Sequence, residues 1–404
     1  MKKYSLLLFL LSILFFFSCN ENSTEENAPK ENGFTTKVEL SYSDFLYQLN
    51  NYQLNRNYEN IILLAEKNHL ESKKDFWKCL EEELNKDSTG MLLIHQLNHG
   101  TIKKTEASSN KQVIEQLREE FNHSMDRSMV VVEARIKKFG GTHIETKKTG
   151  ANQFEIIAYN IKDKNRFANL IQQNARFGFF ETMENTTALN EILRMTKLIY
   201  ERDSIAGTPF AESYLDGKPN SFIPRGFMFN VYQENGQYSM PKGAQVGMSK
   251  WSDTTFFNQF IRDTIVTSNL PKLVHFLWGM KEDENGLPLY TIKSNNLNRP
   301  DLGGEEIVDA KVKKENGSVQ VEINFSSEGA EKFRKMTQKN INNAIAIVMD
   351  GKVLSAPLVQ QEISGGMAVI SGNFNLQEAE DLASILKAGT LPVRLKVVEI
   401  KEIK

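Results

Sequence analysis

The sequence predicts an α+β protein. We expect a ferredoxin-like base, an antiparallel sheet with helices on one face, plus an α+β head subdomain, with helical insertions. Three observations predict this. Strand and helix patterns follow the order β-α-β-β-α-β once one long helical insert is set aside. A second block, Leu302 to Val398, carries its own strands, helices, turns and caps. The 404 residues suffice for two or three domains with a sizeable core.

The base comes first. Thr35 to Leu40, TTKVEL, alternates and reads as a strand. Ser43 to Leu97 is helical in pattern, with polar breaks near Asn50–Asn57 and Lys86–Gly90; Phe45, Leu46 and Leu49, then Ile61, Leu64 and Ala65, give amphipathic faces. Thr105 to Asn110 is a polar linker. Lys111 to Phe139 is a long helix whose Met125, Met129, Val132 and Ile136 form a core-facing stripe, ended by Gly140-Gly141. His143–Lys148 and Gln153–Ala158 make a hairpin around Gly150. Asp163 caps a helix carrying Phe167, Leu170 and Ile171. The aromatic strand Arg176 to Met183, RFGFFETM, then completes the order.

Asn185 to Arg299 reads as a large insertion. It begins helical through Leu189, Ile192, Leu193 and Leu198. From Gly207 to Gly247 it is loop-rich, with Pro209, Pro219, Pro224 and Pro241; loops this long carry binding surface or are partly disordered. Phe256, Phe257, Phe260 and Ile261 suggest a packed helix, and Leu273 to Lys293 two strands around a Gly-Pro turn.

The head follows. A helix over Ser327 to about Ile341 precedes a buried strand around Ile345 and Ile347. Asp350-Gly351 is a tight turn, because glycine accepts positive φ without a steric cost. The chain returns through Val353-Leu354-Ser355, and Pro357 ends the pairing. Gly365-Gly366 turns it again into Met367–Ser371. Asn375 stands three residues before Glu378, a helix start; Gly389 and Pro392 stop that helix. Val393 to Ile400 is expected to leave the head and pair beside Thr35–Leu40, which suits a hinge between base and head.

The N-terminus is a targeting segment. Lys2 and Lys3 precede an apolar stretch, Leu6 to Phe17, which is short for the ~20 residues of a membrane span. FFFSCN resembles a lipobox, with Cys19 lipidated; an ordinary signal peptide and an uncleaved signal anchor are the other readings. Asn20 to Gly33 is polar and reads as a tether. Cys79 lies among Phe76, Trp77 and Leu80 and is expected to be buried.

A net charge of −2 gives no basic field for nucleic acid. His95 and His99 share a helix face, but no third ligand is patterned nearby and Gln96 stands where a zinc protease has Glu, so no metal is assigned. No nucleophile elbow, HExxH or P-loop occurs. Gly303-Gly304 and Gly365-Gly366 lack the spacing of a phosphate cradle. We therefore expect neither enzyme nor cofactor chemistry, and candidate function rests on surfaces: a cleft between base and head, and strand edges open to backbone pairing.

One family resemblance runs through the chain. The segments LGGEEIVDAKV, NFSSEGAEKF, AIVMDGKVLSAP, EISGGMAVISGNF and EAEDLASILKAGTLPVRLKVVE resemble, in order, the extracytoplasmic P1 domain of SecD, an accessory subunit of the bacterial protein-export translocase. SMDRSMVVVEARIKKFGG and NRFANLIQQNARFGFFETME extend it, closest to the fused SecD–SecF form. Candidate head-motif residues are Asp350, Gly351, Ser355, Pro357, Gly365, Gly366, Gly372 and Asn373. The resemblance implies a division into signal peptide (1–19), tether (20–33), base (34–184, with helical insertion at about 43–110), connector (185–300), head (301–390) and a C-terminal strand returning to the base (391–404). It implies a lipid-anchored cell-envelope protein, on the periplasmic or outer-membrane side, without the family's transmembrane bundle and its proton-driven motor. Its partners would be unfolded polypeptide clients, Sec translocase subunits and the membrane through lipid on Cys19. The alternative is a repurposed P1 scaffold that assembles with another envelope complex.

Overall fold

The computed structural model describes residues 32–49, 56–86, 109–206, 224–234, 237–295, 300–315 and 317–403. Cys19 and the tether, His95 and His99, most of the Thr105–Asn110 linker and the start of the Gly207–Gly247 loop lie outside the described residues.

The chain starts with strand β1 (Gly33–Leu40) and helices α1 (Tyr42–Leu49), α2 (Arg56–Ser72), α3 (Phe76–Lys86) and α4 (Asn110–Lys138). Lys73, at φ 55°, separates α2 from α3, a break that its neighbours' polarity did not announce. Ser109 caps α4 by accepting from Gln112 N. Strands β2 (Thr142–Lys148) and β3 (Gln153–Tyr159) form the expected hairpin, and Asp163 caps α5 (Lys164–Gln172) by accepting from Arg166 N. Next come β4 (Phe177–Glu181) and α6 (Asn185–Ala206). The region read as loop holds short strands β5 (Phe227–Phe229), β6 (Tyr232–Glu234), β7 (Gln237–Ser239) and β8 (Gln245–Ser249), too brief to show alternation in sequence. Helices α7 (Thr254–Phe260) and α8 (Thr264–Asn269) lead to β9 (Val274–Trp278), β10 (Leu287–Lys293) and β11 (Leu302–Gly303). The head adds β12 (Ile307–Glu315), β13 (Ser318–Phe325), α9 (Ser327–Lys339), β14 (Ile345–Met349), β15 (Lys352–Ser355), β16 (Met367–Ile370) and α10 (Leu376–Ala388); β17 (Leu395–Ile403) closes the chain.

The first sheet has the order β17-β1-β3-β2, all antiparallel. That is the ferredoxin-like arrangement, with α4 and α5 as its two helices. Phe34, Val38, Phe154, Ile156 and Ala158 face those helices and share their core with α1 to α3. Cys79 is in this core, and burial pushes its thiol pKa up. The fourth strand is β17, which pairs with β1 as expected for Val393–Ile400; the aromatic strand, read as completing the base, is not in this sheet. β4 instead occupies the middle of a second, eight-stranded sheet. The reason is two-sidedness: β4 sends Phe177 and Phe179 into one core and Phe180 into another. The open face of the first sheet, where Lys37 pairs with Glu399, cannot bury aromatics on both sides.

The head is likewise not self-contained. Every residue of β14 is buried, and β14 pairs with β4. Gly279 bridges Val353, and Met280 N donates to Val353 O at 2.9 Å. Strands β15, β14, β4, β10 and β9 thus run around a ring, and Ile292, Ala346, Val348 and Val353 fill its inside. Outside the ring, α9 and α10 pack beneath the sheet β12-β13-β16, while α6, α7 and α8 pack with Phe227, Val246, Phe276 and Leu289.

Candidate functional site

Base and head meet along α5 and α10. Between them lies a groove of about 320 Å³. Its floor is apolar: Leu170 from α5, Met280, Met349 and Leu354 from the ring, Leu382 and Ile385 from α10, with Phe374 at one end. Its rim is charged. Arg166 forks onto Asp381, Nε donating to Oδ2 at 2.8 Å and Nη2 to Oδ1. That hydrogen-bonded partner holds the guanidinium pKa above its ordinary value. Arg166 also lies 4.5 Å from the Phe139 ring centroid. On the other side Lys281 donates to Glu378 Oε2 at 2.5 Å and to Asn373 O at 2.8 Å. Lys281 pulls the Glu378 carboxyl pKa down. Glu378 also completes the capping box of α10 with Asn375, so one side chain starts the helix and anchors the rim.

A second, polar cavity of about 560 Å³ continues the groove past Asn169 and Gln173. Asp350 and Gly351 line it, both at positive φ (51° and 78°), the geometry of a two-residue hairpin turn. The Asp350 carboxylate accepts from Ala175 N at 3.2 Å and Arg176 N at 2.9 Å. It thereby pins the head's hairpin to the connection leaving α5.

The two connections between base and head are also bound to each other. Leu391 N donates to Asn174 O at 2.8 Å, and Thr390 Oγ1 to Ala175 O at 2.9 Å. Asp44, buried on α1, accepts from Arg394 N at 3.0 Å and lies 3.6 Å from Arg176 Nη2. At the centre is Arg135 of α4, with no exposed surface. Its guanidinium donates to Leu170 O at 3.1 Å, Asn174 O at 3.4 Å, Gly389 O at 2.9 Å and Gln173 O. The ends of α5 and α10 thus share one cation, which satisfies carbonyls that neither helix can satisfy itself. Burial pushes the Arg135 pKa down to about 10. These bonds fasten head to base and oppose a free hinge.

The remaining candidate residues scatter. Gly372 and Asn373 sit beside Phe374 and Lys281 at the groove mouth. Ser355 ends β15, Pro357 O accepts from Ile345 N at 3.1 Å, and Gly365 and Gly366 precede β16. Sequence reasoning missed Arg135, Arg166, Lys281 and Asp381. Arg135 did carry a signal: it falls three residues after Val132 on the apolar face of α4, where a charge needs a buried partner. Among the described residues, no group of three His, Cys, Asp or Glu is placed to hold a metal, and no helix is long and apolar enough to cross a membrane.

A ferredoxin-like base clasped to a mixed α+β head defines the class. Residues 281–393 match the family model "SecDF, P1 head subdomain". Over 311 residues the chain is 28% identical to protein translocase subunit SecD of Rhodothermus marinus, covering 73% of this chain and 49% of that protein. Over 113 residues it is 45% identical to protein translocase subunit SecDF of Thermus thermophilus, covering 28% of this chain and 15% of that protein. The chain thus spans about half the length, or less, of these relatives. Among solved structures, "Crystal structure of SecDF in Super-membrane-facing form" is similar at 23% identity and TM-score 0.40, over 69% of this chain and 28% of that one.

Proposed function

We propose that this protein binds unfolded or emerging polypeptide outside the cytoplasm and assists export, as a SecD P1-like element tethered through lipid on Cys19. The observation that supports the reading is the groove between α5 and α10: an apolar floor between two ion pairs, at the seam with the P1 head. An extended chain placed there would bury apolar side chains on Leu354, Leu382 and Phe374 while its backbone reaches the amides of Asn169 and Gln173. Burying one leucine-sized side chain contributes about 1.5–3 kcal/mol, so a few such contacts give weak, exchangeable binding suited to clients of many sequences. Sec translocase subunits are the partners this reading names.

The test is crosslinking in cells from a photoreactive residue at Leu354 or Phe374. Nascent envelope proteins, with or without Sec subunits, are the expected products. Recovery of soluble metabolites or glycans alone would end the proposal.

A second reading, a P1 scaffold serving another envelope complex, draws support from the connector, which has its own core around Phe257 and Phe260 and exposes Trp251 at 60%. Deleting 185–300 would remove β9 and β10 from the ring. The sharper test is Trp251→Ala: loss of one defined partner, with groove crosslinks intact, favours this second reading.

A further inference from the structure

We infer that the open edge of β16 is where an extended polypeptide segment adds to the head as a fourth strand on its way to the groove. This rests on the function proposed above and names the contact that would hold the client.

β16 is an edge of the sheet β12-β13-β16. Phe325 N donates to Gly366 O at 2.9 Å, and the register runs on through Ile323↔Ala368 and Val321↔Ile370. Antiparallel pairs alternate between bonded and non-bonded residues. Gly366, Ala368 and Ile370 therefore bond to β13, and Met367 and Val369 turn their N–H and C=O groups outward. Among the described residues no backbone group meets these four. Ala368 and Ile370 are buried, which anchors the strand; Met367 is 41% exposed.

The other edges of base and head are guarded. β2 carries Glu145, Lys147 and Lys148; β12 carries Asp309, Lys311 and Lys313; β17 carries Lys396, Glu399 and Lys401. β15 is covered by Met280 at Val353 O and followed by Pro357. Besides shortness, which β16 shares with β15, charges, proline and cover are the usual means of keeping an edge unpaired. β16, Met-Ala-Val-Ile, has none of these three. Glycines flank it: Gly365 and Gly366 before, Gly372 after, leaving no Cβ to obstruct an approaching backbone.

Continuity selects a client strand over a second copy. Four residues beyond Ile370 the chain reaches Phe374, whose ring lines the groove. A strand paired with β16 is thus carried toward the groove mouth. Two copies joined at β16 would share only two outward residues each, well short of the roughly 1,000 Å² that a specific interface needs.

The experiment measures amide hydrogen exchange at Met367 and Val369 in the full chain, with and without reduced, carboxymethylated lactalbumin as unfolded probe. Binding is measured in parallel for wild type, Val369→Pro and Met367→Lys. Val369→Pro removes an outward N–H and leaves the β13 ladder intact; Met367→Lys adds a guarding charge and controls for any strain from proline. We expect slowed exchange at both amides with the probe, and Kd about five- to tenfold weaker in each variant, the scale of one backbone hydrogen bond. Probe binding with unchanged exchange, or with both variants binding like wild type, overturns the edge and leaves the groove reading standing. No probe binding by wild type removes both. Protection that appears without probe and grows with protein concentration overturns the client in favour of self-pairing.

Discussion

Arg135 decides whether base and head behave as one body, and its removal has a calculable consequence. Arg135→Met keeps most of the aliphatic volume and deletes the guanidinium. Four carbonyls, of Leu170, Gln173, Asn174 and Gly389, then lose a charged donor. Bonds from a charged donor contribute at least about 1.5 kcal/mol each, or roughly 6 kcal/mol for four. Against this stands the cost of burying the cation. Burial pushes its pKa well below the ordinary guanidinium value, to about 10, and at 1.36 kcal/mol per unit that cost is roughly 3 kcal/mol. The net loss on substitution is therefore about 3 kcal/mol. With a urea slope near 3 kcal/mol/M, the midpoint should fall by about 1 M. Arg135→Lys keeps the charge and reaches fewer carbonyls, so it should lose about half as much. The assay is urea unfolding followed by far-UV circular dichroism, with limited proteolysis reporting on the segment 389–394. A midpoint unchanged within ~0.2 M for Arg135→Met, or cleavage appearing only in the β2–β3 hairpin, would refute the clasp.

Two further predictions follow from single backbone and side-chain facts. Gly389 has φ 89° and ψ 176°, a region essentially reserved for glycine, and an added Cβ would meet no atom within 4 Å. Gly389→Ala should therefore cost about 1–3 kcal/mol by backbone strain alone; a midpoint equal to wild type would show that the end of α10 relaxes freely. The Tyr42 phenol is pushed up to about 12, first by burial and then by Asp75 and Glu39. Because its folded pKa lies above the unfolded value of 10.0, its contribution is fully present below pH 10 and disappears as pH rises toward 12. Tyr42→Phe should lose less stability than wild type across pH 10 to 12; equal alkaline unfolding curves would contradict this.

Local signals in the sequence were legible wherever one side chain makes one bond. Asn375 with Glu378 does form the capping box, Asp163 does cap α5, and Asp350-Gly351 does form the hairpin turn. Pairing partners were harder. RFGFFETM looks like a strand in any sheet, and only its burial on both faces assigns it to the ring. A cleft between base and head was expected, but the residues that line the groove were not legible, because no stretch of sequence contains it. Arg166 and Asp381 are separated by 215 residues, and Arg135 and Gly389 by 254.

Those separations follow from one topological fact. β1 pairs with β17 from Gly33↔Ile403 to Leu40↔Leu395, so the base closes only when the chain's last described strand arrives. Everything from Asn174 to Arg394 hangs between α5 and β17. Both connections must leave the base at one place, beside the C-terminal end of α5, and α10 returns there. A groove between α5 and α10 is thus a product of the closure itself. The clasp at Arg135, Asp44 and Asp350 sits where any rotation of the head would be centred. Opening the groove then means breaking bonds to buried carbonyls rather than flexing a linker. On the function proposed above, a client would enter along the surface, by way of the edge of β16.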